Sequence, residues 1–377
     1  MKILLLDYRR DLEKGELLKL ISFVSADIIG FEERDHKIAL QVQDNGDLEQ
    51  IEFNFNQLME KYCSPKENEY IYFQHKHSKN QKYYNTHSIY ESDRIESFEK
   101  GLIGFKKEAV HLFNYFSSIF RTFAIEEHAE ERIYPTLLPM EVYKKTGYLK
   151  SSPQYSMFCC DVLESMDSIS DLNELAGHSD VHHVLSEPAL ALSPSACFHT
   201  YKELENQSLK TSQSLTFTQK VFRNEGRFNW NEFGRLRDYH VREIVFIGDA
   251  QYVLNQRNRI MDKVASLMQQ LNLSGQIAAA SDPFIIPEMQ SYKKIQQFEK
   301  SKYELRLSTS EENSLACASF NLHGISFTKA FHIEVENCSR TVTGCIGFGI
   351  ERWVLAFMCQ YGIHYEKWPA MVLESMK

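Results

Sequence analysis

Apolar positions in the first 65 residues alternate as they do in strands. In KIALQVQDNGDLEQIEFNF, Ile38, Leu40 and Val42 precede Asn45-Gly46, and Ile51, Phe53 and Phe55 follow it. Strand side chains alternate faces with a period of two, and Asn-Gly is a strong short turn signal. This stretch therefore predicts a β-hairpin within a small N-terminal α/β unit. Residues 64–95 turn polar, rich in Lys, Asn, His and Tyr, and read as a connector whose irregularly spaced histidines face solvent. The period then changes. Val110, Phe113, Phe116, Phe120 and Phe123 recur at helical spacing across residues 105–125. RIYPTLLP follows as an extended segment, since Pro135 and Pro139 exclude a helix interior. SLTFTQKVFRNEG and HVREIVFIGD alternate as strands, residues 251–272 predict a helix, and ERWVLAFMCQYG predicts a buried helix behind a glycine-rich turn.

Composition narrows the class. The chain has 377 residues, 43% hydrophobic and 25% charged, which fits a globular protein with one large domain and one smaller. The expected division is residues 1–95 and 96–377. No apolar run approaches the roughly 18 residues of a membrane span, and MKILLLDYRRD returns to charge too soon for a signal peptide. A cytoplasmic location without a membrane partner follows. The net charge of −9 argues against gripping a nucleic acid backbone. Cysteines stand at 63, 159, 160, 197, 317, 338, 345 and 359, with no CxxC pair, so disulfides are not expected. Any metal site must draw its ligands from distant segments.

Chemistry concentrates in three places. In VFRNEG, Arg223 and Glu225 share one face if the strand continues. A guanidinium fork suits an α-phosphate, and a carboxylate can accept from an adenine amino group. Residues 226–238 then form a long connection bearing Arg227, Arg235 and Arg237, which could neutralise a departing pyrophosphate. In TGCIGFGIERW, Gly344, Gly347 and Gly349 allow close backbone approach, and Arg352 leads a buried helix where a phosphate or carboxylate would partner it.

Together these pieces resemble the class II aminoacyl-tRNA synthetases. VFRNEG…RLRDYHVREIVFIGD resembles their motif 2, GCIGFGIERW their motif 3, and RIYPTLLPMEVYKKTGY a divergent motif 1, the segment that builds the family's dimer interface. The resemblance implies an α+β fold, an antiparallel six-stranded sheet flanked by helices, and a homodimer. It further implies that Arg223 binds the α-phosphate, Glu225 reads adenine, Tyr239 stacks on adenine, and Arg352 contacts the γ-phosphate. Arg235 joins them as an ATP-binding residue. Magnesium is expected with ATP; Glu311 and Glu312 are weak candidates to hold it.

Within the class, the chain resembles a subgroup, the amino acid:[carrier protein] ligases, which are similar to the catalytic core of methanogen-type seryl-tRNA synthetases. GLIGFKKEAV, ALSPSACFHTY, ACASFNLHGISF and the motif segments carry this likeness over residues 101 to about 365. Both groups hold a catalytic zinc through two cysteines and a glutamate. The matching positions are Cys197, Glu243 and Cys345, with Cys338 a rival. Three protein ligands leave one coordination position open, which an amino acid's α-amino nitrogen can fill. Glu243 is expected to share a sheet face with Arg223, and Cys345 to lie in the turn before Arg352. His199, His240 and His323 read as satisfied structural histidines.

The implied activity is ATP-dependent formation of an aminoacyl-adenylate from a small amino acid. The aminoacyl group then passes to the phosphopantetheine thiol of a carrier protein. One alternative is an atypical seryl-tRNA synthetase, although the added N-terminal residues are not basic and tRNA is not an expected partner. A second is a non-catalytic regulator that binds an amino acid or nucleotide.

Overall fold

The computed structural model describes residues 1–9, 17, 20–34, 37–62, 70–77, 82–174, 181–282 and 284–376. Cys63 and the parts of the polar connector at 63–69 and 78–81 lie outside the described residues.

The N-terminal part begins with β1 (Lys2–Asp7), β2 (Ile28–Arg34) and β3 (Lys37–Val42). β3 is central, antiparallel to both neighbours, with Leu40 opposite Leu4 and Phe31. The hairpin expected across Asn45-Gly46 does not form. The run after it is helix α1 (Leu48–Lys61), started by the Asp47 carboxylate, which accepts from the Gln50 N–H. The physical reason lies in spacing. Ile51, Phe55 and Met59 recur every four residues and are buried, whereas Phe53 is 58% exposed. The local alternation is a coincidence that Met59 resolves in favour of a helix. Leu6, Ile21, Ile28, Leu40, Ile51 and Phe55 belong to one buried cluster of this part.

An eight-stranded sheet dominates the remainder. Its strands are β4 (Ile71–His75), β5 (Glu130–Glu131), β6 (Gln213–Phe222), β7 (Asp238–Gly248), β8 (Gly275–Ala279), β9 (Lys302–Ser308), β10 (Ser314–Gly324) and β11 (Val342–Gly349). In space they run β4-β8-β9-β10-β11-β7-β6-β5. All pairings are antiparallel except the short parallel contact of β5 with β6. The six expected antiparallel strands form the middle. Two edges are added, one from the stretch read as a connector and one from the two residues just before the motif 1 segment.

One sheet face is apolar. Ile244, Phe246, Ile346, Phe348, Phe320 and Leu305 are buried there with α2 (Glu108–Glu126), α3 (Ala250–Gln270) and α4 (Ile350–Tyr361). The Asp249 carboxylate caps α3 by accepting from Gln251 and Tyr252. Among the described residues, no helix is long and apolar enough to cross a membrane.

The glycine-rich stretch before Arg352 is strand rather than turn. It is β11, paired with β7 on one side and β10 on the other. A Cβ on Gly344 would meet the Asn321 carbonyl oxygen at 2.7 Å, so glycine lets the neighbouring backbone come close.

Candidate active site

The second sheet face carries the chemistry, and strand register explains how. Across β10, β11, β7 and β6, one row is Ser319, Gly347, Glu243 and Phe217; the next is Asn321, Cys345, Val245 and Leu215. Paired residues share a face, so Glu243 and Cys345 lie on the same side of adjacent strands. Cys197 reaches them from the start of the short helix Phe198–Glu203.

Four charged side chains converge beside this row. Arg223 lies just past the end of β6 and donates through Nε to the Pro194 carbonyl at 3.0 Å. Burial alone would lower its pKa, but Tyr239, Tyr148 and Glu225 around it raise it overall. Glu225 is 6% exposed, with one carboxylate oxygen 3.4 Å from Arg235 and the other 3.8 Å from Arg352. The Arg352 guanidinium lies 4.6 Å from the centroid of the buried Tyr239 ring. Its Nε and Nη2 are buried donors without a hydrogen-bond partner among the described residues. Orphaned guanidinium donors are costly unless a ligand supplies acceptors, and phosphate oxygens match their geometry.

The cysteine side is a cluster of donors. Cys197, Cys345 and His323 place their ligand atoms within 4.8 Å of one another. The Cys197 thiol is held below its ordinary pKa by a hydrogen bond from Cys345, and the same bond, with burial, pushes Cys345 up. Glu243 is buried and its carboxyl is raised, first by desolvation and then by the charge of Cys197. A Cβ on Gly347 would sit 3.0 Å from a Glu243 carboxylate oxygen, so the glycine opposite makes room for that group. Two thiols and a carboxylate crowded out of water compete for protons, and a divalent cation would relieve all three. Soft sulfur with nitrogen and oxygen donors suits zinc. By spacing, the two sulfurs and His323 fit the metal. Glu243 hydrogen-bonds with Cys345 but is not in that set of mutually close donors, so it fits by its chemistry and its contact with Cys345.

The other sequence candidates fall elsewhere. Cys338 is not in the cluster, and the expected ligand Glu243 lies beside it, against Cys345, rather than among the three mutually close donors. Glu311 and Glu312 are exposed in the turn between β9 and β10. Arg227 points away from the charged group and donates to the carbonyls of Ser22, Ser25 and Ile28. Arg237 stacks on Trp230 at 4.3 Å and donates to Lys100. Of the three loop arginines, Arg235 is the one paired with Glu225.

No family model matches the chain. An amino acid--[acyl-carrier-protein] ligase from Bradyrhizobium diazoefficiens is 30% identical over 257 residues, 67% of this chain and 77% of that protein. The chain belongs to the class II synthetase-like family of the amino acid:[carrier protein] ligases and type-2 seryl-tRNA ligases. A type-2 serine--tRNA ligase from Methanocaldococcus jannaschii is 25% identical over 264 residues, 66% of this chain and 50% of its own length. The chain thus spans about half the length of the seryl-tRNA ligases it matches. Among solved structures, the seryl-tRNA synthetase of M. kandleri, in complex with A. aeolicus tRNASec, matches with a TM-score of 0.70 at 18% identity. That likeness covers 99% of this chain and 77% of the other. The seryl-tRNA synthetase of Pyrococcus horikoshii complexed with ATP gives 0.57 at 11% identity, covering 78% and 63%. At these identities the structures show the class II synthetase fold.

Against the family pattern, His323 stands out. His199 is bound to the Leu137 carbonyl and Gln219, and His240 to Glu351, as satisfied histidines should be. His323 instead faces the Cys345 sulfur at 3.3 Å. In the sequence, Asn321 and His323 two apart on a strand-like run hinted at a shared face. Only the strand order shows that this face is the one bearing Cys345.

Proposed function

We propose that this chain activates a small amino acid with ATP and passes it to the phosphopantetheine thiol of a carrier protein. The observation that carries this reading is the 30% identical carrier-protein ligase, of which the chain spans 77%. The convergence of Arg223, Glu225, Arg235 and Arg352 beside the neighbouring Cys197 and Cys345 sulfurs, with Glu243 against Cys345, supports it. In the first step an amino acid carboxylate oxygen attacks the α-phosphorus, the anhydride bond to the β-phosphate breaks, and pyrophosphate leaves. Arg223 stabilises charge on the α-phosphate, and Arg235 and Arg352 neutralise the leaving phosphates. Glu225 accepts from the adenine amino group, and Tyr239 supplies a stacking face. Magnesium accompanies the triphosphate. Zinc held by Cys197, Glu243 and Cys345 would supply a Lewis-acid anchor for the neutral α-amino nitrogen. In the second step the carrier thiol attacks the carbonyl carbon, AMP leaves, and the thiol proton passes to solvent.

A seryl-tRNA ligase is the second reading. It is favoured by several of the matched relatives, and by a fold likeness to a tRNA-bound synthetase that extends over the N-terminal part. One experiment tests both. Pyrophosphate exchange is measured with each of the twenty amino acids, and the best substrate is offered to holo carrier protein and to total tRNA. Carrier loading is expected; tRNA loading reverses the ranking, and no amino-acid-dependent exchange overturns both. Cys345→Ser should lose zinc and exchange together, while retaining the fold by circular dichroism.

A further inference from the structure

The three donors that lie mutually close are Cys197, Cys345 and His323, and the last is not among the ligands that the resemblance implies. His323 sits where β10 loses register with β11: Leu322 pairs with Gly344 and Gly324 with Thr343, so His323 is the extra residue of a β-bulge. Bulges re-aim single side chains, and they concentrate near functional sites. This one brings the His323 Nε2 to 3.3 Å from the Cys345 sulfur. Gly324, at φ +56°, completes the irregularity. The ring is braced edge-on by Phe327, with centroids 5.0 Å apart. A tetrahedral ion with Zn–S of about 2.3 Å and Zn–N of about 2.0 Å puts sulfur and nitrogen roughly 3.5 Å apart. The spacing seen between Cys345 and His323 lies within a few tenths of an ångström of that. The Cys197 sulfur completes a set of three whose mutual distances stay within 4.8 Å.

We infer that His323 is a fourth protein ligand to the metal when no amino acid is bound. This rests on the zinc reading above and goes beyond it: the two sulfurs and the imidazole already stand within ligand spacing, and the Glu243 carboxyl, hydrogen-bonded with Cys345, closes the resting site as the remaining donor. Imidazole is neutral and monodentate, as an α-amino nitrogen is, so exchanging one for the other leaves the charge of the set unchanged. His323 is a placeholder that occupies the substrate position until an amino acid arrives. It also keeps water off the metal in the empty enzyme.

The same site can be read as a plain contact in which His323 only hydrogen-bonds the Cys345 thiol, and X-ray absorption at the zinc edge separates the two. The zinc-loaded full chain without amino acid should show two sulfur scatterers and the outer-shell pattern of one imidazole. His323→Gln should lose the imidazole pattern and bind zinc at least about tenfold more weakly, the lower limit for residues that merely support a metal ligand. His323→Cys should restore affinity and add a third sulfur, which a misfolded variant could not do. Two sulfurs without imidazole in the wild type, or no third sulfur in His323→Cys, would overturn the inference and leave the zinc reading standing. Failure of the wild type to bind zinc one-to-one overturns both.

Discussion

At the scale of single residues, the site is built from what glycine leaves out as much as from what the reactive residues add. Gly347 lies opposite Glu243, where a Cβ would stand 3.0 Å from the carboxylate oxygen. Contacts that short force a neighbour to move, and here the neighbour is a proposed metal ligand. Gly347→Ala should therefore weaken zinc binding by at least about tenfold, as displaced supporting groups do. Secondary structure should persist, because β11 keeps its pairings on both sides. Zinc retained after dialysis against a chelator, measured beside circular dichroism, checks this. Full zinc retention would mean that the carboxylate tolerates displacement, or that it does not ligate.

At the scale of elements, the N-terminal helix offers a direct test of which periodicity governs. Phe53 and Phe55 are two residues apart, so a strand would bury both, whereas α1 buries Phe55 and leaves Phe53 58% exposed. Phe55→Ala should cost about 3–5 kcal/mol of the stability of this part, as expected for a buried aromatic. Phe53→Ala should stay within about 0.5 kcal/mol, as surface changes usually do. Urea unfolding followed by circular dichroism measures both, and equal losses would contradict the helix. The case also marks what could be read in advance. α2, α3, α4, β6 and β7 were legible because their patterns are long. The Asn45-Gly46 stretch misled because Ile51 and Phe55 satisfy either period until Met59 is counted. β11 misled in another way: its glycines look like a turn, and only the neighbouring strands explain them, Asn321 of β10 against Gly344, and Glu243 and Tyr239 of β7 against Gly347 and Gly349. Cys197, Glu243 and Cys345 rest on resemblance, since their separation in sequence gives no spacing to read; the structure brings the two cysteines together and sets Glu243 against Cys345. His323 was passed over because its role depends on a bulge and on strand order, which one sequence does not reveal.

At the scale of the whole molecule, the N-terminal part and the connection at residues 226–238 are physically joined. Arg227 follows Glu225 by two residues, yet its guanidinium donates to the Ser22, Ser25 and Ile28 carbonyls at 2.5–3.2 Å. Phe228 meets Phe31 edge-on with centroids 5.3 Å apart. Gly226, at φ +91°, packs so close that a Cβ would stand 2.7 Å from Ser22. The long connection whose arginines were expected to meet the pyrophosphate is therefore anchored at its start, two residues from Glu225. These contacts predict that the N-terminal part acts without touching ATP, by holding the chain next to Glu225 in place. Arg227→Ala removes charge-assisted hydrogen bonds worth about 1.5–3 kcal/mol when made to a charged donor. The expected result is a rise in the KM for ATP in pyrophosphate exchange, with zinc content unchanged and faster amide exchange over residues 20–28 and 223–238. Arg227→Lys, which keeps the charge but not the fork, should recover only part of it. If both variants keep the wild-type KM while amide exchange rises, the two parts touch without coupling, and the position of Glu225 depends on β6 and β7 alone.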